Sequence, residues 1–295
     1  MEYPKLSIVT PSFNQGQFLE ETLNSVLSQR YPNLEYIVVD GGSRDNSVEI
    51  IKRYEKHLSY WVSEPDRGQV HALNKGLERA TGDLFAFINS DDVYLPGAFA
   101  AVTDYLLSHP GCEWICGDTL FFGEGHPTEF FQAVVPKSAA QALSWASHTP
   151  QPGMFWKRKL VADGFKESWP YDFDHEMYVR LLLAGYTCEH LPVPLAAYRL
   201  HMVSKTVAEG HRQEAEFDLL AEHYEKQLQG ADRRWCRATQ YLRKSYKSSQ
   251  AGKTAESANY LMRAALTHPE GLARRSFWGT FRALLKSIGN HSMVN

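Results

Sequence analysis

The sequence predicts an α/β fold with a mostly parallel sheet, followed by an α-helical C-terminal extension. Three observations support this prediction. Short, nearly uninterrupted apolar runs alternate with segments of helical periodicity, polar residues follow directly on the apolar runs, and strand patterns stop near residue 210. Alternating strands and helices favour parallel strands joined by right-handed crossovers, and such sheets bind ligands beyond the carboxyl ends of their strands.

The predicted strands are apolar runs short enough to be buried on both faces of a sheet. In chain order they cover residues 6–10, 35–40, 60–62, 84–88 and a short run at 115–116. The predicted helices lie between them, at residues 18–27, 47–55, 69–80 and 96–107. The last of these begins with Pro96, a residue suited to the first turn of a helix.

Beyond residue 210 the pattern becomes helical, and residues 214–286 are rich in Ala, Leu, Lys and Arg. We therefore predict a catalytic domain at residues 1–208 and a helical extension at residues 209–295. Within the extension, residues 271–288 form a basic amphipathic pattern without acidic residues. Such a helix is typical of peripheral contact with an anionic membrane. Packing on the catalytic domain, or on a second subunit in a homodimer, is the alternative.

Composition limits the classes of function. The chain has 295 residues, of which 43% are apolar and 22% are charged, as in an ordinary globular protein. A net charge of -3 provides no field that would recruit nucleic acid. The first residues lack a signal-peptide pattern, and no apolar stretch is long enough to span a bilayer. We expect a cytoplasmic protein, or one held peripherally at the inner face of the cell membrane.

Paired carboxylates follow the fourth predicted strand, in the segment Asn89-Ser90-Asp91-Asp92. Adjacent acids repel one another unless a positive charge lies beside them. Mg²⁺ or Mn²⁺ is the natural partner, since such ions are commonly held by one or two carboxylates and substrate phosphates. Capping of the helix that begins at Pro96 is the alternative.

Two further polar loops follow strands. Asp40 ends the second strand, where a carboxylate can accept a hydrogen bond from a base N3–H or a ribose hydroxyl, and Gly41 lets backbone approach a ligand. The loop at residues 10–14, which contains an aromatic residue, can line a base pocket. The alternatives are a plain strand-to-helix turn after Asp40, and a helix cap at Ser12 or Asn14.

Together these features resemble one known family. The segments VTPSFNQGQFLEETLNSVLSQRYPNLEYIVVDGGSRDNS and SEPDRGQVHALNKGLERATGDLFAFINSDD match the opening of the family 2 glycosyltransferases, and the resemblance spans residues 5–205. It implies the GT-A fold with its Rossmann-like sheet, in the branch that builds bacterial surface polysaccharide such as O-antigen and capsule. One departure is Asn89, which replaces the first acid of the family's Asp-x-Asp segment.

The resemblance also implies roles for residues. In the family, the Asp40 position contacts the base, the loop at residues 10–14 lines the same pocket, and the Asp-x-Asp segment binds ribose and the metal. Asp91 and Asp92 then carry the ribose and metal duties, and His201 is a further metal ligand. The nucleotide-binding residues on this interpretation are Thr10, Pro11, Ser12, Asn14, Asp40, Gly41, Asp66, Arg67, Asn89 and Asp91.

The catalytic base is expected before a helix that contains Leu-Arg-Leu in the family. With Arg180-Leu181 as the register, Asp174 aligns with the catalytic Asp, while Asp172 and Glu176 remain close alternatives. The acids that do not serve as the base are explained as an acidic cluster at the N-terminus of this helix, where negative charge complements the helix dipole. On the acceptor side, the resemblance points to Asp118 and Gln151.

The function implied is inverting, non-processive transfer of a hexose from a nucleoside-diphosphate sugar to a saccharide or lipid-linked saccharide. A UDP-sugar is the first expectation and a dTDP-sugar the second, since uracil and thymine present the same N3–H. The rivals are a sugar nucleotidyltransferase and a non-catalytic nucleotide- or sugar-binding module of the same fold. A nucleotidyltransferase would want basic residues in its first phosphate loop, and residues 10–17 contain none.

Overall fold

The structure is a computed structural model that describes residues 3–144 and 149–270, together with Trp278. Within those residues nine strands form one sheet. They are β1 (Leu6–Ser12), β2 (Leu34–Asp40), β3 (Tyr60–Ser63), β4 (Leu84–Phe87), β5 (Val93–Tyr94), β6 (Trp114–Gly123), β7 (His126–Phe131), β8 (Met154–Lys157) and β9 (Glu189–Arg199).

The α-helices alternate with the first strands and then dominate the end of the described chain. They are α1 (Leu19–Leu27), α2 (Ser47–Tyr54), α3 (Gln69–Arg79), α4 (Ala98–Ser108), α5 (Ala139–Ala142), α6 (Phe173–Leu183), α7 (Lys205–Ala208), α8 (Gly210–Glu225), α9 (Gly230–Gln250) and α10 (Thr254–Thr267). Helix α4 starts at Ala98 after a left-handed Gly97, so Pro96 lies two residues before the helix that it was predicted to begin.

The sheet has the strand order β3-β2-β1-β4-β8-β6-β9-β5, with β7 paired to β6. The strands β1 to β4 are parallel to their neighbours among themselves, and this confirms the predicted α/β class. From β8 onward the pattern is mixed, because β8 runs antiparallel to both β4 and β6 while β9 is parallel to β6. Antiparallel neighbours need no crossover helix, whereas helix α6 lies between β8 and β9.

Side chains of the central strands alternate between two apolar cores, one on each face of the sheet. Ile8, Val38 and Ala86 belong to the core that packs with α1, α2 and α4. Val9 and Phe87 belong to the core that packs with α3 and α6. Burial of both faces explains why the strands read as continuous apolar runs, and it leaves only the strand ends for polar chemistry.

The parallel strands end together at one edge of the sheet. In the register, Ser12 is opposite Asp40, and Asp40 is opposite Ser63. The loops that leave β1, β2 and β3 therefore begin side by side. The fourth loop leaves β4, whose residue Phe87 is opposite Val9 of β1. This edge is where the candidate site is found.

The described chain divides into two compact units. The first contains residues up to 137 and residues 149–213, and the second contains residues 138–144 and 214–270. In the second unit α9 packs on α10, where Leu242 and Leu261 share a small apolar cluster and Ser245 hydrogen-bonds Ser257. The domain boundary at residue 208 stays a prediction. The amphipathic segment 271–288 lies outside the described residues except for Trp278, and no described helix has the length and apolarity needed to cross a bilayer.

Candidate active site

A cavity of about 1000 Å³ opens at the carboxyl ends of the parallel strands. Nine of the residues predicted from the sequence line it, and they are Pro11, Ser12, Asn14, Gly41, Asp66, Asn89, Asp91, Gln151 and Asp174. Six predicted residues are not part of its lining, and they are Thr10, Asp40, Arg67, Asp92, Asp118 and His201. The tertiary structure thus brings together segments that are up to 163 positions apart, from Pro11 to Asp174.

The loop after β1 is held by the loop after β2. Asn14 adopts a left-handed backbone conformation with φ of 52°, which Asn tolerates better than most residues. Its Oδ1 accepts a hydrogen bond from the Arg44 backbone N–H at 2.8 Å, and its own N–H donates to Ser43 Oγ at 2.7 Å. Thr10 lies behind this loop, fully buried and hydrogen-bonded to the Tyr36 hydroxyl at 3.0 Å.

Asp40 is fully buried at the end of β2 and holds the turn that follows it. Its carboxylate accepts hydrogen bonds from the backbone N–H groups of Gly42 and Ser43 at 3.1 and 2.8 Å. It also accepts from the hydroxyls of Ser43 at 2.5 Å and Ser63 at 2.6 Å. Four donors therefore converge on a carboxylate that presents no surface to solvent, so its visible role is to shape the loop.

The loop after β3 sends two charged side chains in different directions. Asp66 lines the cavity, and its Oδ1 accepts a hydrogen bond from the Gly68 N–H at 2.7 Å. Arg67 forms a two-point ion pair with Glu167, at 2.9 and 2.7 Å, away from the cavity. The sequence treated these two residues as equivalent candidates, and the structure places Asp66 at the cavity.

The paired carboxylates after β4 are divided between the cavity and the interior. Asp91 lines the cavity, and its Oδ2 lies 2.9 Å from His201 Nε2. Asp92 is 1% exposed and accepts the Arg199 backbone N–H at 2.8 Å. Burial, together with the neighbouring charge of Asp91, raises the pKa of the Asp92 carboxyl well above its usual range. The two acids, which the sequence assigned jointly to metal binding, therefore have different surroundings.

Asp91 and His201 fit a small divalent cation. Two cis ligands of an octahedral ion, each about 2.1 Å from it, lie about 3 Å apart, which is close to the 2.9 Å between Asp91 Oδ2 and His201 Nε2. The Nδ1 atom of His201 is buried without a hydrogen-bond partner. Across the described ranges no three His, Cys, Asp or Glu side chains form a metal-binding group. A two-ligand site of this kind suits an ion that takes its other ligands from water and substrate phosphate.

Arg199 holds the acidic loop from behind, and sequence reasoning missed it. Its Nε donates to the Asp91 backbone carbonyl at 2.8 Å, while its Nη2 pairs with Glu21 at 2.5 Å. The guanidinium lies over the rings of Phe18 and Phe122, 4.8 and 4.4 Å from their centroids. These contacts join positions at least 77 residues apart, so no local pattern could have revealed them.

Asp174 occupies the first turn of α6 and lines the cavity. Burial raises the pKa of its carboxyl to about 6, although the His175 backbone N–H and the charge of Lys205 lower it. The two alternative acids are not part of the cavity lining. Asp172 is the buried N-cap residue of α6, and buried Glu176 pairs with Arg180 at 3.2 Å. Of the three acids, Asp174 is the one placed to meet a ligand.

The far wall of the cavity comes from the chain after β9, which sequence reasoning left largely unassigned. Lys205 Nζ donates to the Pro170 carbonyl at 2.8 Å and to Gln69 Oε1 at 3.2 Å. Gln69 Nε2 in turn donates to Asn89 Oδ1 at 2.6 Å. The Tyr198 hydroxyl and Thr206 Oγ1 are 2.5 Å apart. This network connects the segment after β9 to the loop that carries Asp91.

The two predicted acceptor residues lie in different places. Gln151 lines the cavity, and its Nε2 donates to the Phe87 carbonyl at 2.9 Å. Asp118 is 3% exposed and accepts hydrogen bonds from the Ala133 backbone N–H at 2.9 Å and from His190 Nε2 at 2.7 Å. Its carboxylate is therefore used inside the protein, between β6, β9 and the chain after β7.

The sequence of this chain is similar to those of known proteins. Residues 7–159 match the family model described as Glycosyl transferase family 2. An uncharacterized glycosyltransferase of Mycobacterium tuberculosis is 32% identical over 196 residues, covering 64% of this chain and 72% of the relative. The Bacillus subtilis protein TuaG, a putative teichuronic acid biosynthesis glycosyltransferase, is 34% identical, covering 43% of this chain and 52% of its own. A Campylobacter jejuni GalNAc(5)-diNAcBac-PP-undecaprenol beta-1,3-glucosyltransferase is 29% identical, covering 43% and 42%.

Solved structures share the fold. Residues 1–349 of Staphylococcus aureus TarS in complex with UDP-GlcNAc superpose with a TM-score of 0.66 at 17% identity, covering 97% of this chain and 92% of that one. The Pyrobaculum calidifontis mannosyltransferase PcManGT, in complex with GDP-Man and Mn²⁺, superposes with a TM-score of 0.58 at 18% identity, covering 98% and 87%. At this level of identity the likeness concerns the fold.

Proposed function

Because the chain belongs to glycosyltransferase family 2, we propose that it transfers a hexose from a nucleoside-diphosphate sugar to an acceptor hydroxyl with inversion at the anomeric carbon. Family membership and the structural neighbours confirm the resemblance and the GT-A fold expected from the sequence. The observation that carries the proposal is one cavity lined by both Asp91, which is paired with His201, and Asp174, whose pKa is about 6. These are the two kinds of group that such a transfer needs.

The donor is proposed to be a UDP-sugar, with a dTDP-sugar second. The cavity wall made by Pro11, Ser12, Asn14 and Gly41 would receive the nucleoside, because these loops sit at the carboxyl ends of adjacent parallel strands. The TarS structures that share the fold were solved with UDP-GlcNAc and with UDP, whereas PcManGT holds GDP-Man. Uridine is therefore the first nucleotide to test.

Asp91 and His201 are proposed to hold Mn²⁺ or Mg²⁺ against the donor diphosphate. When bound, the ion would neutralise the charge that gathers on the leaving diphosphate. Asp92 would serve indirectly, because its hydrogen bond from the Arg199 N–H ties the acidic loop to β9. Arg199 would fix the Asp91 backbone from the other side. This division revises the joint assignment that the sequence suggested.

Asp174 is proposed to act as the general base. The acceptor oxygen attacks the anomeric carbon, its proton passes to the Asp174 carboxylate, and the bond from that carbon to the diphosphate oxygen breaks with its electrons on the leaving group. A base works best when its pKa lies near the working pH, and burial brings the pKa of Asp174 to about 6. Binding both substrates in one cavity supplies further rate enhancement through positioning.

The acceptor is proposed to be a glycan or a lipid-linked saccharide in bacterial polysaccharide biosynthesis, to which the enzyme adds one sugar per encounter. The names of TuaG and of the Campylobacter jejuni glucosyltransferase support this class. Gln151, at the cavity, is the better acceptor candidate, because Asp118 is occupied by His190 and the Ala133 N–H. Peripheral membrane contact through residues 271–288, a homodimer and a location at the inner membrane face remain parts of the proposal.

Titration of the purified protein with UDP, with and without Mn²⁺, tests the donor site. We expect UDP to bind tightly only when Mn²⁺ is present. In Asp91→Ala we expect most of that affinity to be lost and Mn²⁺ to make no further difference. A panel of UDP-sugars, with released UDP as the signal, then tests transfer. Tight binding without any turnover on the panel, even with saccharide acceptors, would favour a non-catalytic binding module. No binding of UDP or dTDP would overturn the proposed donor class.

A further inference from the structure

A buried tyrosine follows Asp174 by one turn of helix α6. Tyr178 is four residues further along that helix, and side chains at this spacing share one face. Long side chains on a helix point back toward its N-terminus, so the Tyr178 ring extends toward the turn that carries Asp174. Asp174 lines the cavity, whereas Tyr178 is 1% exposed and belongs to the apolar core that packs with α3 and α6.

Aromatic neighbours hold the Tyr178 ring in place. Its centroid lies 5.5 Å from that of Trp114 on β6 and 6.3 Å from that of Trp156 on β8, to which the ring is stacked. The His175 ring lies 6.0 Å away in an edge-on arrangement. A phenylalanine would make the same ring contacts, so packing alone gives no reason for a hydroxyl at this position.

The Tyr178 hydroxyl is buried, and among the described residues it has no hydrogen-bond partner at 3.5 Å or less. A buried polar group without a partner destabilises the folded protein, and such groups are rare. Burial raises the pKa of both Tyr178 and Asp174, and the longer contact between them lowers the pKa of the Asp174 carboxyl while it raises that of the hydroxyl. The hydroxyl therefore keeps its proton and can donate it to a carboxylate.

We propose that the Tyr178 hydroxyl donates a hydrogen bond to the Asp174 carboxylate and holds this base ionised, in a contact that shortens once the substrates are bound. The inference rests on the proposed function and adds a positioning residue to it, since Tyr178 acts only through Asp174. Hydrogen bonds around a catalytic group are often long in the unliganded protein and tighten in the complex. A hydrogen bond donated to the charged form of a carboxyl favours that form.

The pH dependence of kcat with a UDP-sugar and acceptor at saturation tests the inference. In Tyr178→Phe the ring contacts are kept and the donor is lost, so we expect the acid limb of kcat to move up by about one pH unit. With the wild-type limb near the pKa of about 6, kcat should fall about fivefold at about pH 6 and change less than about twofold at about pH 8.5. A purely structural loss would lower kcat by the same factor at both pH values.

The comparison isolates the hydroxyl, because the other titratable groups around this pair are unchanged in the variant. They are His175 on α6, Lys205 on α7, Tyr198 on β9, Cys116 on β6 and Cys188 just before β9. Burial raises the pKa of both thiols, so they remain neutral across the tested range.

Tyr31→Phe is the matched control, because it removes a buried tyrosine hydroxyl at the opposite end of the sheet. Tyr31 precedes β2, and its hydroxyl donates to the Pro4 carbonyl at 2.8 Å. We expect this variant to unfold at a lower temperature without any movement of the acid limb. A limb that moved equally in both variants would overturn the inference, because the shift would then be a general effect of losing a buried hydroxyl.

Carboxyl ¹³C NMR titration, with Asp174→Asn to assign the signal, follows the same group without turnover. We expect the pKa of Asp174 to be higher in Tyr178→Phe than in the wild-type protein. An unchanged acid limb, or a carboxyl pKa that does not rise, would overturn the inference and leave the proposed function intact. If the pKa rose but the wild-type protein transferred no sugar, the hydrogen bond would stand and the proposed function would fail.

Discussion

The ionised carboxylate of Asp174 is predicted to lower the free energy of unfolding at neutral pH. The same raised pKa allows this group to act as a base near neutral pH. Its pKa rises from the ordinary 3.8 to about 6, and burial is the main cause. A carboxyl with a raised folded-state pKa favours folding while it is protonated. That contribution is fully present below about pH 4 and is lost as the pH rises through about 6. Asp174→Asn should therefore stabilise the protein at neutral pH.

The size of the effect follows from the two pKa values. Ionisation in the folded state costs about 3 kcal/mol more than in the unfolded state, at about 1.4 kcal/mol for each pKa unit. At about pH 4.5 only about 1 kcal/mol of that cost is expressed, and at about pH 7.5 nearly all of it is. Water in the cavity reduces both figures. We expect Asp174→Asn to raise the unfolding free energy by about 1 to 3 kcal/mol at about pH 7.5, and by clearly less at about pH 4.5.

Urea unfolding at the two pH values measures this difference, and Asp104→Asn on α4 is the matched control because its side chain is exposed. Transfer from a UDP-sugar should fall by at least about a hundredfold in Asp174→Asn, as expected for loss of a general base, while UDP affinity stays within about threefold. In the wild-type protein kcat/KM should decline below about pH 6 as Asp174 becomes protonated. A destabilised Asp174→Asn protein, or a stability gain that does not change between the two pH values, would refute the reasoning.

Substitutions at four further residues have distinct expected outcomes. Asp91→Ala should remove the Mn²⁺ dependence of UDP binding and leave thermal unfolding nearly unchanged. Asp92→Ala should lower the unfolding free energy by about 1–3 kcal/mol, because it leaves the part-buried Arg199 N–H without its acceptor. The reverse pattern in calorimetry and denaturation would return the metal to Asp92. Arg199→Gln should raise the KM for the donor more than it lowers kcat, and Arg199→Lys should restore part of the lost kcat/KM. Equal losses of kcat/KM in the two variants would show that the guanidinium has no positioning role. Burial raises the pKa of Glu35, but hydrogen bonds from Lys5, Ser7 and Thr81 outweigh it and lower the pKa from 4.5 to about 2. Glu35→Gln should therefore reduce the unfolding free energy in urea by about 2–3 kcal/mol at neutral pH. That reduction should become smaller as the pH falls from about 4.5 toward 2.

The positions of the strands and helices in the first half of the chain were predicted closely from the sequence. The predicted strand at residues 35–40 became β2 (Leu34–Asp40), and the predicted helix at 47–55 became α2 (Ser47–Tyr54). Burial on both faces forces continuous apolar runs, and these are visible without any structure. The strands β5, β7, β8 and β9 were not predicted. Of these, β7 and β8 pair antiparallel with β6, so no crossover helix marks them in the sequence.

The candidate site was predicted in outline for a related reason. Polar residues at the ends of parallel strands must share one edge of the sheet, so Asn14, Asp66 and Asp91 could be grouped from the sequence, and the structure places all three at one cavity. The sequence could not say which member of each adjacent pair faces that cavity. Asp66 and Arg67 diverge, and so do Asp91 and Asp92, because neighbouring residues in a loop point in directions that only the packing around them decides.

The sequence by itself determined the family, the α/β class and the segments that carry the chemistry, because periodic burial and motif spacing are local properties of the chain. Only the tertiary structure decided which acids are occupied by the protein and which remain available to a ligand. Asp118 accepts hydrogen bonds from the distant residues Ala133 and His190, and Asp40 accepts one from Ser63 on β3 in addition to those from its own turn. Asp174 lies at the cavity with a raised pKa. Hydrogen-bond partners and desolvation depend on what folds around a side chain, and neither can be read from its neighbours in sequence.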